Sequence, residues 1–330
     1  MALKETIEEI VVDVTDVIGT SFVYADTYTV PSLIDVQLTY ESGVAKRGKR
    51  ISTCVLFVDI RNSVALTERH QTITMGRIYT AFTKAVLKIA AQHDGHIRNI
   101  IGDRVMIVFP SANCFTNAVD CAISINYIVK NIINKKFRDV DFKCGIGIDY
   151  GELRVIKVGI QRRGSEHAEN KGLVWVGYPA NIASRLTDKA NKLFEEPYFE
   201  VVRNPLNPSA IRPLIDLSIF GMRSNYDPKA PIYLKTVETV EMTTEEFANN
   251  ISSISEGRLF MLGGNFISFS KKTKSFSYSP ILMTEVVYKG FKRHNPRRAS
   301  ILENLWTEQK HTIQNVSGKI FGGDVTWNFK

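Results

Sequence analysis

Residues 95–110 read GHIRNIIGDRVMIVFP. Two β-rich runs, HIRNII at 96–101 and RVMIVF at 104–109, flank the pair Gly102-Asp103. A Gly-Asp pair between two such runs predicts a tight hairpin and puts the Asp103 carboxylate at its tip. Upstream, Ile51–Ile60 is a nearly continuous apolar run, the pattern of a buried strand, and it closes on FVDI with Asp59. A carboxylate there is costly to bury unless it is paired or coordinates a metal. If strand and hairpin are sheet neighbours, the two carboxylates meet at one edge. Two carboxylates with substrate phosphates make a typical magnesium site. Taken singly, each has an ordinary reading: Asp103 serving the turn and Asp59 capping the following helix.

Working outward, residues 4–17 have helix-like apolar spacing at Ile7, Ile10, Val11 and Val14. A polar stretch runs to about residue 50. Residues 63–92 read as helical, with Thr67, His70 and Gln71 marking a bend. Residues 113–134 carry Phe115, Ala118, Ala122, Ile125, Val129 and Ile132 on one helical face. Phe142–Asp149 is a strand, and Leu153–Val158 pairs with Leu173–Val176 across a polar loop. Pro179 opens a helix to about Leu193. Residues 213–220 and 231–236 read as closing strands. The order predicts an α+β fold, one mixed sheet with helices packed on it. The expected division is a helix and linker at 1–50, a catalytic domain at 51–236, and an extension at 237–330. Thr243-Thr244-Glu245-Glu246 in that extension is a helix-start signal.

On the helix after Pro179, Asn181 and Arg185 lie four apart and share a face. An amide and a guanidinium there can clamp a ribose and a phosphate. The ordinary alternative is a polar surface helix.

Composition excludes some classes. The 330 residues are 44% hydrophobic and 23% charged, which are globular values. No apolar run reaches the roughly 18 residues of a membrane span, and the acids in the first residues argue against a signal peptide. Cys54, Cys114, Cys121 and Cys144 form no CxxC pair and read as buried thiols in a reducing cytosol. The net charge of +8 suits an anionic partner, with basic clusters at 46–50 and 271–298. The second cluster also admits nucleic-acid binding.

The ordered set FVDI, GHIRNIIGDRVMIVFP, KCGIGIDYGE and VWVGYPANIASRL resembles the catalytic domain of the class III nucleotidyl cyclases over residues 51 to about 236. The resemblance implies that family's mixed sheet of ferredoxin-like palm type. It implies two divalent ions, Mg2+ or Mn2+, held by Asp59, Asp103 and the Ile60 backbone. Asn181 would orient the ribose and Arg185 would stabilise the transition state. The loop after Asp59, with Arg61, Asn62 and Ser63, would cradle the triphosphate, with Arg223 as a later basic contact. The family works as a head-to-tail pair of catalytic domains. One complete set of residues therefore implies a homodimer with shared sites.

At the purine-reading positions this chain departs from the adenylate and guanylate cyclases. Asn99 replaces a lysine or glutamate, and Val174 offers no side-chain hydrogen bond. Tyr178 and Trp175 add bulk beside them. The pattern is similar to the bacterial pyrimidine cyclases of the Pycsar systems. That implies a cytoplasmic enzyme making cyclic UMP from UTP as an anti-phage signal, with a separate effector protein and a phage-derived activator. Cyclic CMP formation, a divergent purine cyclase and a non-catalytic nucleotide-binding module are the alternatives.

Overall fold

The computed structural model describes residues 3–69, 71–138, 140–160, 170–211, 229–254 and 258–329. The strands are β1 (Phe22–Asp26), β2 (Lys46–Ile60), β3 (His96–Ile101), β4 (Arg104–Val108), β5 (Cys144–Gly159), β6 (Lys171–Val176), β7 (Leu193–Pro205), β8 (Glu238–Thr243), β9 (Ile251–Ile254), β10 (Arg258–Met261), β11 (Gly264–Ser277), β12 (Ile281–Thr284), β13 (Thr307–Glu308) and β14 (Ile320–Gly323). The helices are α1 (Leu3–Gly19), α2 (Ser63–Arg69), α3 (Thr72–Gln92), α4 (Cys114–Ile128, continued by a π turn), α5 (Asn134–Lys136), α6 (Tyr178–Lys189), α7 (Pro208–Ile211), α8 (Thr244–Asn250), α9 (Glu285–His294) and α10 (Ala299–Leu302). The chain forms two compact units. One joins Met1–Lys192 to Ser277–Lys330, and the other is Leu193–Phe276.

The first unit holds a nine-stranded mixed sheet of order β13-β14-β12-β5-β2-β4-β3, with β1 along β2 and β6 along β5. β2 and β5 pair antiparallel from Lys49↔Val155 to Ile60↔Cys144. Side chains on β2 alternate between the two faces. Cys54, Leu56, Val58 and Ile60 enter a core with Phe82 and Val86 of α3 and Ile125 of α4. Val55 enters a second core with Ala180 and Ala183 of α6, and Phe57 packs against it. Asp59 continues this second set and so lies on the α6 face.

Glycines let α6 lie close to β5. A methyl at Gly147 would strike the Ala183 carbonyl, and one at Gly145 would strike the Arg61 guanidinium. Thr187 on α6 donates to the Phe57 carbonyl at 3.1 Å and to the Ala183 carbonyl at 2.8 Å. α6 is thereby fixed over the end of the strand that carries Asp59.

The hairpin forms where expected. β3 and β4 pair antiparallel with Ile101 opposite Arg104, and Gly102 turns at φ +61°. A glycine suits that left-handed position because a side chain would be strained there. The helix expected over 63–92 divides into α2 and α3, with Gln71 extended at the break. His70 lies outside the described residues. All four cysteines are buried and free. Among the described residues no helix is long and apolar enough to cross a membrane.

The compact units depart from the expected boundaries. β2 begins at Lys46, and β1 pairs with it in parallel. β12 lies parallel to β5, with Ile281 opposite Ile146, and β14 closes on β12. Val287 and Phe291 of α9 are buried in the main core. Residues 277–330 are therefore part of the sheet and its cover, and not an extension. Of the expected closing strands, 213–220 lies outside the described residues. In 231–236 only Tyr233 forms a bridge, to Leu206. The second unit is a five-stranded sheet, β8-β7-β11-β10-β9, around Val201, Met242 and Met261. The Phe199 and Phe247 rings stack there at 3.9 Å. The helix start read at Thr243 is a capping box with Glu246.

One buried carboxylate gives the fold a pH dependence. Asp149 on β5 is 4% exposed and accepts a 2.6 Å hydrogen bond from Thr284 Oγ1. Burial pushes its pKa up to about 6. A raised carboxylate pKa favours the folded state below the unfolded value near 4, and that contribution is lost as pH rises through about 6. Asparagine keeps the acceptor and removes the charge. Asp149→Asn is therefore expected to stabilise the protein by about 2 kcal/mol at pH 8 and by little at pH 4. Thermal melts at the two pH values check this.

Candidate active site

β2 and the β3–β4 turn bring Asp59 and Asp103 together. Asp103 lies beside the Ser63 side chain, and burial and the Asp59 charge raise its pKa. Its Oδ2 is buried and has no hydrogen-bond partner among the described residues. An orphaned carboxylate oxygen beside a second carboxylate is costly unless a cation binds there. That fits a divalent metal, with substrate phosphates supplying further oxygens. Among the described residues no group of three or more His, Cys, Asp or Glu side chains can hold a metal ion. The Ile60 side chain is in the core, so only its backbone is available to such an ion.

Asp59 lies between two guanidiniums. Arg104 Nη2 donates to its Oδ2 at 2.8 Å, and Arg61 Nη1 lies 3.7 Å away. Arg61 departs from its expected role. Its amide donates to the Lys143 carbonyl at 2.8 Å, and its buried guanidinium donates to the Thr187 carbonyl. Both of these groups are committed inside the protein and are not free to meet a triphosphate. Asn62 is exposed at φ +55° and turns the chain into α2, which opens at Ser63, and the first amides of a helix have no partner within it. Arg223 lies outside the described residues.

Asn181 and Arg185 are exposed on α6, while Ile182, Ala183, Leu186 and Thr187 face the sheet. The Asn181 and Arg185 side chains have no hydrogen-bond or ion-pair partner among the described residues. The neighbouring stripe behaves differently. Ser184 accepts from Arg104 Nη1 at 3.0 Å, and Asp188 accepts from Arg104 Nη2. Lys192, just past α6, is half-buried, and burial together with the nearby Arg61 charge lowers its pKa. Sequence reading missed Arg104, Ser184, Asp188 and Lys192. Position alone pointed to three of them. Arg104 follows the Gly-Asp pair, and Ser184 and Asp188 repeat the four-residue spacing beside Arg185.

The residues expected to read the base do not converge within one chain. Asn99 is exposed on β3 opposite Met106, on the face shared by Met106 and Trp175. Strand alternation turns Val174 to the other face, 41% exposed. Tyr178 is also exposed, with its hydroxyl 3.5 Å from Ser317 Oγ. The Arg98 guanidinium stands 5.6 Å over the Trp175 ring, a cation–π contact beside Asn99.

The model of the adenylate and guanylate cyclase catalytic domain matches residues 46–192. The match ends where the first compact unit is interrupted. A uridylate cyclase from Burkholderia cepacia is 34% identical over 172 residues, covering 51% of this chain and 70% of that protein. The chain belongs to the class III nucleotidyl cyclases. The cyclase is also 32% identical to a uridylate cyclase from Xanthomonas perforans, over 42% of this chain and 59% of that protein. A cytidylate cyclase from Staphylococcus aureus is 29% identical over 30% of this chain and 25% of that protein.

Proposed function

We propose that the cyclase converts UTP to 3′,5′-cyclic UMP and pyrophosphate, as a head-to-tail homodimer with two shared sites. The observation that carries this reading is the pair Asp59 and Asp103. One oxygen of Asp103 is buried with no partner among the described residues, while Asn181 and Arg185 of the same chain face solvent. Each chain thus offers half of one site and half of another. One face of the β5–β6 ribbon leaves Val158, Val174 and Val176 exposed, an apolar strip suited to burial against a second copy.

The chemistry follows from the groups. Asp59 and Asp103, with the Ile60 carbonyl, would hold two divalent ions, Mg2+ or Mn2+. When bound, these lower the pKa of the ribose 3′-hydroxyl and offset triphosphate charge. Asn181 orients the ribose so that the hydroxyl faces the α-phosphate in line. Arg185 neutralises charge that builds on the α-phosphate oxygens. The amides at Asn62 and Ser63 contact the triphosphate, and Lys192, which feels the Asp59 charge, joins them.

For the base, identity to two uridylate cyclases favours uracil. Asn99 offers both a donor and an acceptor, so it serves uracil or cytosine. Cyclic CMP is the second reading, favoured by the similarity to a cytidylate cyclase. We read the product as a second messenger of anti-phage defence in the cytoplasm, taken up by a separate effector protein. Incubating the full chain with each of the four nucleoside triphosphates and Mn2+ tests the reading. Cyclic UMP and pyrophosphate are expected. A purine-only product overturns the pyrimidine assignment, and tight binding without any cyclic product overturns catalysis.

A further inference from the structure

Arg104 has no part in the mechanism above, yet among the described residues it is the most connected side chain at the site. One guanidinium donates to three acceptors: Asp59 Oδ2 at 2.8 Å, Ser184 Oγ at 3.0 Å, and Asp188 Oδ1. Asp59 is on β2, whereas Ser184 and Asp188 are one turn apart on α6, the helix that carries Asn181 and Arg185. Asp59 is largely shielded from solvent, with its side chain 14% exposed. Beside it lies an Asp103 oxygen with no partner among the described residues. Two adjacent shielded carboxylates need a counter-charge, and Arg104 supplies one to Asp59.

A divalent ion bound by Asp59 takes up the same oxygen and repels the guanidinium. Arg104 must then give up Asp59. The structure already holds its second berth, because Asp188 and Ser184 keep two of its three hydrogen bonds. Only an arginine fork spans these partners, since a lysine is a single point of charge.

We propose that Arg104 is a positioning residue that occupies Asp59 as a stand-in cation before a divalent ion arrives, and on its arrival transfers wholly to Asp188 and Ser184, so that metal loading is tied to α6. This rests on reading Asp59 and Asp103 as the metal carboxylates. It gives the cyclase a metal threshold: the ion must displace a guanidinium before it can bind.

The test is Mn2+ binding to the full chain without nucleotide, read from the free-ion electron paramagnetic resonance signal. Arg104→Met is expected to bind Mn2+ about tenfold more tightly, the scale of one partly exposed charge contact released. Arg104→Lys keeps the charge and loses the fork, so its affinity should lie between wild type and Arg104→Met. A pure field effect would leave it at the wild-type value and overturn the stand-in role. Asp188→Asn removes the second berth and is expected to weaken binding several-fold. Unchanged or weaker binding in Arg104→Met overturns the proposal. If that variant fails to fold, as judged by its thermal melt, Asp188→Asn decides, and unchanged or tighter binding there overturns it. Asp59→Ala separates the two readings. Full Mn2+ affinity in Asp59→Ala removes the metal site itself. Lost affinity there, without a gain in Arg104→Met, removes only the role of Arg104.

Discussion

Asp59→Ala is expected to reduce cyclic nucleotide formation by about a thousandfold or more, the scale of losing a positioned charge group together with the ion it holds. The loss should appear with either Mg2+ or Mn2+ and at saturating nucleotide, because it removes transition-state stabilisation and not only substrate affinity. The fold should survive. Asp59 contributes no apolar burial, and Arg104 keeps Asp188 and Ser184 when the carboxylate goes. Asp103 would also lose the neighbouring charge that helps to raise its pKa. Product assays beside circular-dichroism melts separate loss of chemistry from loss of structure. Undiminished turnover in the double variant with Asp103→Ala would sink the assignment of both carboxylates.

Arg185→Ala is expected to lower turnover by about a hundredfold or more. The informative experiment combines it with Asp59→Ala in one cell. If sites are shared between two copies, a mixed dimer rebuilds one intact site from the unmutated halves of each chain. Random pairing of equal amounts then returns about a quarter of wild-type activity, since half the dimers are mixed and each has one of two sites intact. A site made within one chain returns nothing. The structure motivates this outcome, because the inner stripe of α6, Ser184 and Asp188, already engages Asp59 through Arg104. The stripe carrying Asn181 and Arg185 is left facing outward.

Much of this architecture could be read from local pattern. The apolar run ending in Asp59 is β2, the Gly102-Asp103 turn joins β3 to β4, and Pro179 opens α6. Each rests on signals within a few residues: alternation, a turn dipeptide, a proline in a first helical turn. What escaped depends on partners distant in sequence. β12 is only four residues, ILMT, and its parallel pairing with β5 leaves no turn to announce it. β7 contains a proline and two glutamates at its start, so it does not alternate cleanly. Arg104 reads as an ordinary strand residue because its three acceptors come from β2 and α6. Arg61 reads as a loop cation, and only the close approach of α6 over Gly145 shows that it is enclosed.

The late return of the chain to its central sheet bears on how the protein is made. During synthesis, β5 emerges with one edge open, and the strand that covers this edge is not translated until the whole of Leu193–Phe276 has followed. An open strand edge is a template for wrong pairing, and contacts between remote segments form slowly. A nascent chain stalled or clipped before residue 281 would thus lack an interior strand, and α9 with its buried Phe291 would be missing from the core. A few dozen residues removed from the C-terminus would leave an aggregation-prone fragment and not a trimmed domain. Co-translational chaperones that shield exposed strands would have most to do in this interval.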